Sequence, residues 1–140
     1  MNQTPNVLVV DDSATVRSVL CGKLMAMRVN AVEAEDGTSA MQLLHASDFD
    51  LAIIDLAMPG LDGYDLLGCI RGHRHSIHMP VIVLTSTEDQ HAISRALAAG
   101  ATSFIVKPLN WSAFGAHIEH LMHLSRFYRR HRAELCFDRS

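Results

Sequence analysis

Asp11, Asp12, Asp55, Thr85 and Lys107 all fall at the carboxyl ends of short apolar runs. Asp11 and Asp12 follow Asn6–Val10, Asp55 closes Leu51–Asp55, Thr85 closes Pro80–Thr85, and Lys107 follows Thr102–Val106. Gathered in one place, three carboxylates repel and raise one another's pKa unless a cation intervenes. A single lysine does not balance three acids. A hard divalent ion such as Mg²⁺, or Mn²⁺ in its place, suits one or two carboxylates, a carbonyl and waters, and it leaves a position for a phosphate oxygen. A metal beside a carboxylate points to phosphoryl chemistry. Asp55 would be the nucleophile, Mg²⁺ and Lys107 would neutralise charge on the phosphoryl oxygens, and Thr85 would hydrogen-bond the product. Taken singly, each residue has an ordinary reading: Asp12-Ser13 as a helix cap, Thr85-Ser86 as a turn, Lys107 as a surface charge. Taken jointly, five such residues at matching positions are hard to ascribe to capping.

The elements that must position them are legible as alternating patterns. The four runs above are continuous and mostly β-branched, as expected of strands buried on both faces. Asn30–Ala34 is less apolar and alternates, which places it nearer a sheet edge. Helical spacing runs over residues 14–27, 37–45, 63–71, 89–98 and onward from Trp111, with Ser13, Thr38, Asp62 and Asn110 as expected caps. Strict alternation of strand and helix implies right-handed crossovers and a parallel sheet covered by helices, a doubly wound α/β domain. In such a sheet ligands bind beyond the carboxyl ends of the strands, where strand order reverses.

Composition sets the outer limits. With 140 residues, 49% hydrophobic and 19% charged, the chain fits one folded domain and not a disordered one. No apolar run approaches the ~18 residues that span a bilayer, and residues 1–6 lack a signal-peptide pattern, so a cytoplasmic protein without a membrane segment is expected. Cys21, Cys69 and Cys136 are too widely spaced for a disulfide framework or a CxxC site. A net charge of -3 gives no general attraction to nucleic acid.

Across about residues 6–124 the chain resembles the response-regulator receiver family. The resemblance rests on the strand ending in Asp11-Asp12, the stretch Asp55-Leu-Ala-Met-Pro-Gly-Leu-Asp-Gly63, Leu84-Thr-Ser86, Ala98-Ala-Gly-Ala101 and Lys107-Pro108, in family order. It implies a flavodoxin-like (βα)5 fold with a five-stranded sheet of order 2-1-3-4-5. It also implies that Asp55 accepts phosphate from a phosphohistidine on a sensor histidine kinase or phosphotransfer protein, or from a small phosphodonor. By the same resemblance Asp12 and Asp55 ligate Mg²⁺ with the Ala57 backbone carbonyl, Asp11 acts mainly through water, and Thr85 and Phe104 form a switch pair. The Lys107-Pro108 bond is expected to be cis. The output would pass through the face made by the fourth helix, fifth strand and fifth helix to a downstream effector domain or protein. Such a protein is a signalling switch, not a turnover enzyme. Ala57 has no side-chain group to orient a hydrolytic water, so slow loss of the Asp55 phosphate is expected, with Thr87 placed to help.

Residues 1–124 are read as the receiver and 125–140 as a helical extension or linker. Trp111, Phe114, Ile118, Leu121, Ser125, Tyr128 and Leu135 keep 3,4 spacing apart from Arg132, and helical character runs to about Glu134. Phe127, Tyr128 and Leu135 then offer a partner surface, a homodimer contact or a connecting helix, with a solvated end as the alternative. A dimer through the fourth-helix face is a further candidate. Arg126, Arg129, Arg130 and Arg132 read as a solvated or linker face in preference to direct nucleic-acid contact. His117, His120 and His123 drift around the helix and read as a polar face in preference to a metal site. Three other functions compete. A phosphohydrolase would carry Asp-x-Asp after the first strand, and a flavin-binding domain would replace Asp11-Asp12 with a phosphate-cradling loop. A degenerate interaction module would not retain all five polar residues.

Overall fold

The structure, a computed structural model, describes residues 4–58, 62–86 and 90–131. In chain order the elements are β1 (Asn6–Val10), α1 (Ala14–Ala26), β2 (Asn30–Ala34), α2 (Gly37–Ala46), β3 (Leu51–Asp55), α3 (Gly63–Arg71), β4 (Val81–Thr85), α4 (Gln90–Ala99), β5 (Ser103–Val106) and α5 (Trp111–Arg130). The strands form one parallel sheet of order β2-β1-β3-β4-β5. The chain is therefore the doubly wound, flavodoxin-like fold expected. Among the described residues no helix is long and apolar enough to cross a membrane.

Successive strand residues point to opposite faces, and the core divides accordingly. Leu8, Val10, Ala52 and Ile54 face a cluster with Leu66, Leu67 and Ile70 of α3 and Ala40 of α2. Val7, Val9, Leu51 and Ile53 face the other side, against Leu20 and Leu24 of α1 and Phe114, Ile118 and Leu121 of α5. Burying each Leu or Ile side chain contributes about 1.5–3 kcal/mol, so this double-faced burial fixes β1, β3 and β4 as the rigid centre of the sheet.

Two expectations are corrected. β5 was expected to be buried on both faces, yet none of its residues is fully buried, because it forms the sheet edge opposite β2 and has a strand on one side only. The cap of α2 is Asp36, not Thr38: the Asp36 carboxylate accepts from the Ser39 N–H at 2.7 Å and Gly37 already belongs to the helix. That hydrogen bond holds the Asp36 carboxyl below its ordinary range. Ser13, Asp62 and Asn110 cap α1, α3 and α5 through the same kind of contact.

At the amino-terminal end of the sheet, Arg71 closes α3 and binds two connections together. Its guanidinium donates to the carbonyls of Ser76, Ile77, Met79 and Gly100 and to the Thr102 hydroxyl. Gly100 stands at φ +121°, and a Cβ there would lie 2.5 Å from Arg71 Cγ, so backbone and neighbour both require glycine. α5 is continuous through Arg130 with Ser125 buried and Phe127 exposed. Its expected continuation to Glu134, with Arg132, Leu135 and Cys136, lies outside the described residues, as do the side chains of Tyr128 and Arg129.

Candidate functional site

β1 and β3 are neighbours, with Val10 opposite Ile54, so the residues that follow them come together at one end of the sheet. Asp11 is buried just beyond β1. Its N–H donates to the Ala34 carbonyl at 3.2 Å, and its Oδ1 accepts from the Ser13 N–H at 2.9 Å. Asp55 ends β3, only 6% exposed, and its Oδ1 accepts from the Ala57 N–H at 3.2 Å. Asp12 is exposed at the rim, and one carboxylate oxygen from each of Asp11, Asp12 and Asp55 lies within 4.8 Å of the others.

Lys107 reaches this group from beyond β5. Its Nζ lies 3.6 Å from Asp11 Oδ2 and 3.7 Å from Asp55 Oδ2. The Lys107 N–H donates to the Thr85 carbonyl at 2.8 Å, which ties the β5 end to the β4 end, and the Lys107-Pro108 bond is cis. Burial pushes the Asp55 carboxyl above its ordinary value; the Asp11 charge adds to the rise, while Lys107 and the Ala57 N–H oppose it. Asp11 Oδ2 is buried with no hydrogen-bond partner among the described residues and faces the Lys107 ammonium.

That donor set fits a hard divalent cation. The oxygens are hard, two of the three carboxylates are buried, and the rim is open for water. Adjacent ligands of an octahedral Mg²⁺ stand about 3 Å apart, so a spread within 4.8 Å closes with small side-chain movements or a bridging water. Ala57 is exposed two residues beyond Asp55.

Thr85 is buried at the end of β4, one position past the Leu84 that pairs with Asp55. Phe104 is not part of the pocket. It sits on the edge strand opposite Val83 and is 38% exposed. Thr87 lies outside the described residues. His117, read as part of a polar helix face, instead contacts the Ser103 hydroxyl through Nε2 at 2.6 Å, and burial, aided by the nearby His120 charge, lowers its pKa. Among the described residues the three aspartates are the one group arranged to hold a metal, and the histidines of α5 are not.

Two contributors escaped the sequence reading. Arg17 of α1 donates through Nη1 to the Asp11 carbonyl at 2.6 Å. Its signal was a cation near a helix amino terminus, where the helix dipole disfavours one. Gly63 opens α3 directly against β3: a Cβ there would lie 2.7 Å from Leu56 Cα and 2.9 Å from the Asp55 carbonyl oxygen. The glycine lets α3 approach the backbone that carries Asp55.

Fold and pocket thus define a doubly wound domain with an acidic, lysine-countered cleft at its topological switch point. The chain belongs to the response regulator receiver domain family, whose model matches residues 7–119. It is a CheY-like receiver domain of two-component signalling, a class that acts as signalling switches and partners with histidine kinases or phosphotransfer proteins. The chemotaxis protein CheY of Pseudomonas aeruginosa is 35% identical over 114 residues, which cover 81% of this chain and 92% of the relative. The solved structure of chemotaxis response regulator CheY4 of Vibrio cholerae superposes with a TM-score of 0.81 at 26% identity, covering 85% of this chain and 99% of that one. The receiver domain of sensor histidine kinase PA1611 from Pseudomonas aeruginosa superposes with a TM-score of 0.80, covering 86% of this chain and 99% of that one. That structure holds a magnesium ion in its active-site cleft; at 22% identity it speaks for the shared fold alone.

Proposed function

We propose that Asp55 is the phosphoacceptor of a two-component phosphorelay and that its phosphorylation switches the α4-β5-α5 face. The observation that carries this reading is the Asp55 carboxylate itself, held at the end of a central buried strand with Asp11 beside it and the Lys107 ammonium 3.7 Å away. A carboxylate oxygen of Asp55 attacks the phosphorus of a phosphohistidine. The O–P bond forms as the P–N bond breaks, and the imidazole nitrogen leaves with the electron pair and takes up a proton. Lys107 stabilises the negative charge on the phosphoryl oxygens, and its backbone tie to Thr85 keeps the ammonium aimed into the pocket. Mg²⁺ bound by Asp12, Asp55 and the Ala57 carbonyl, with Asp11 acting through water, would neutralise the acids and the incoming phosphate. Mn²⁺ would substitute for it.

The Thr85 hydroxyl would then hydrogen-bond the phosphoryl group, and Phe104 would turn inward behind it. Leu97 of α4 and Phe104 of β5 are both exposed, and an inward turn of the Phe104 ring would change the apolar surface of β5. The α4-β5-α5 face, or the distal part of α5, would meet a downstream effector or a second copy of the chain. Residues 1–124 would be the receiver and 125–140 an extension or linker, working in the cytoplasm. Ala57 presents only a methyl group to the pocket rim, so the acyl phosphate is expected to hydrolyse slowly without a partner phosphatase.

The test is treatment with a small phosphodonor and Mg²⁺, read by intact mass, with Asp55→Asn as control. Gain of one phosphoryl group by the wild type and none by the variant is expected. An unmodified wild type would overturn the reading.

A further inference from the structure

We propose that Arg17, anchored by Glu33, is the positioning residue of the Asp11–Asp12 acid pair and sets the affinity of that pair for a divalent cation. The inference rests on the metal-binding reading of the acid cluster.

Asp11 and Asp12 occupy the short junction where β1 has ended and α1 has not begun. Backbone groups in such a junction lack the partners that a ladder or helix would supply. The Asp11 N–H is taken by Ala34 and the Asp11 side chain by the Ser13 N–H. The Asp11 carbonyl receives the Arg17 guanidinium instead, with Nη1 at 2.6 Å. The same guanidinium donates through Nε to Glu33 Oε1 of β2 at 3.1 Å. One planar fork therefore spans the end of β1 and the edge strand. A lysine, with its point charge on a flexible stem, cannot hold both partners in a fixed plane.

The carbonyl of Asp11 and the N–H of Asp12 belong to one rigid peptide plane. Holding that oxygen fixes the rotation of the plane, and with it the direction in which the Asp12 side chain leaves the backbone. This matters most for Asp12, whose exposed carboxylate makes no hydrogen bond of its own among the described residues. Asp11 and Asp55 are held by backbone N–H groups. Asp12 has only its backbone to aim it. The Arg17–Glu33 pair is itself half-open to solvent on the Glu33 side, with side-chain exposures of 14% and 49%. Such pairs add little to stability, so the contact is better placed to orient the pair than to hold the fold.

The test measures Mn²⁺ binding from the paramagnetic resonance of free Mn²⁺, without phosphodonor, for the wild type, Arg17→Met, Arg17→Lys and Glu33→Ala. Thermal unfolding in EDTA is followed alongside. Loss of a residue that orients metal ligands typically weakens binding about tenfold or more, and that loss is expected for Arg17→Met. Arg17→Lys should recover part of it, and Glu33→Ala should fall between, with unfolding temperatures in EDTA close to wild type. Glu33 is exposed on an edge strand, so its variant reports even where Arg17→Met fails to fold. Wild-type Mn²⁺ affinity in Glu33→Ala and in the folded Arg17 variants would overturn the proposal and leave the metal reading standing. Absence of Mn²⁺ binding by the wild type would overturn both.

Discussion

Asp55→Asn is expected to stabilise the metal-free protein while abolishing its chemistry. The Asp55 carboxylate is only 6% exposed, with the Lys107 ammonium 3.7 Å from Oδ2 and the nearest acids within 4.8 Å. At an effective dielectric constant near 20, unit charges at these separations interact by roughly 3.5–4.5 kcal/mol. Repulsion by Asp11 and attraction by Lys107 therefore nearly cancel, and the repulsion from exposed Asp12 is screened. What remains is the desolvation of a buried charge, several kcal/mol at full burial, partly offset by the Ala57 N–H, which an asparagine oxygen can still accept. A net gain of about 1–2 kcal/mol follows, or roughly 5 °C in unfolding temperature for a domain of this size. The pH dependence has a definite sign. The folded-state pKa of Asp55 lies above the ordinary 3.8, so its contribution is fully present below that pH and is lost as pH rises through the folded value. Asparagine has nothing to lose, so the advantage of the variant should open with rising pH. Thermal unfolding of both proteins in EDTA from pH 4 to pH 8 measures it. Mg²⁺ should then narrow the gap by stabilising the wild type alone. A variant no more stable than wild type at neutral pH in EDTA would refute the charge reasoning.

Gly63→Ala places a Cβ against Leu56 Cα and the Asp55 carbonyl, backbone atoms that cannot rotate away. A loss of about 1–3 kcal/mol in urea unfolding is expected. Arg71→Met strips the guanidinium from the carbonyls of Ser76, Ile77, Met79 and Gly100. Leaving buried acceptors unsatisfied costs about 1–3 kcal/mol, and amide exchange should accelerate first in residues 73–79. Burial holds the His117 pKa below 6.5, so its neutral form favours the fold; that contribution is present above 6.5 and lost as pH falls through the lowered value. His117→Gln should flatten this acid limb, and an NMR titration of the His117 ring should show its midpoint below 6.5.

The central strands could be read from sequence because strands buried on both faces are continuous apolar runs, and the polar residues that end them mark one edge of the sheet. Convergence of Asp11, Asp12, Asp55 and Lys107 followed from that placement, and the structure gathers all four within a few ångströms. The exposure of β5 did not follow. Its run, Ser103-Phe-Ile-Val106, is shorter and less apolar than that of β4, and the expected strand order already places it at the edge with one neighbour; apolar character alone does not show that. Asp36 and Thr38 both have cap chemistry, and the choice depended on where Gly37 entered the helix. Arg71 was illegible for a different reason, and Arg17 left only the weak mark of a cation near a helix amino terminus. Their partners are mainly carbonyls in connections brought close by the fold, and a carbonyl leaves no mark on the sequence.

α5 joins two mechanical environments in one unbroken rod. Phe114, Ile118, Leu121 and Met122 clamp its first part to the sheet and Ser125 is still buried, whereas Phe127, two residues further on, is half exposed, and His131 closes the helix four residues after it. The stretch from Ser125 to Arg130 is about 7.5 Å long at 1.5 Å per residue. A tilt of about 10° at the clamp therefore displaces the arginine-bearing tip by about 1.3 Å, with no helix bond broken. The helix is a lever whose fulcrum is the core itself.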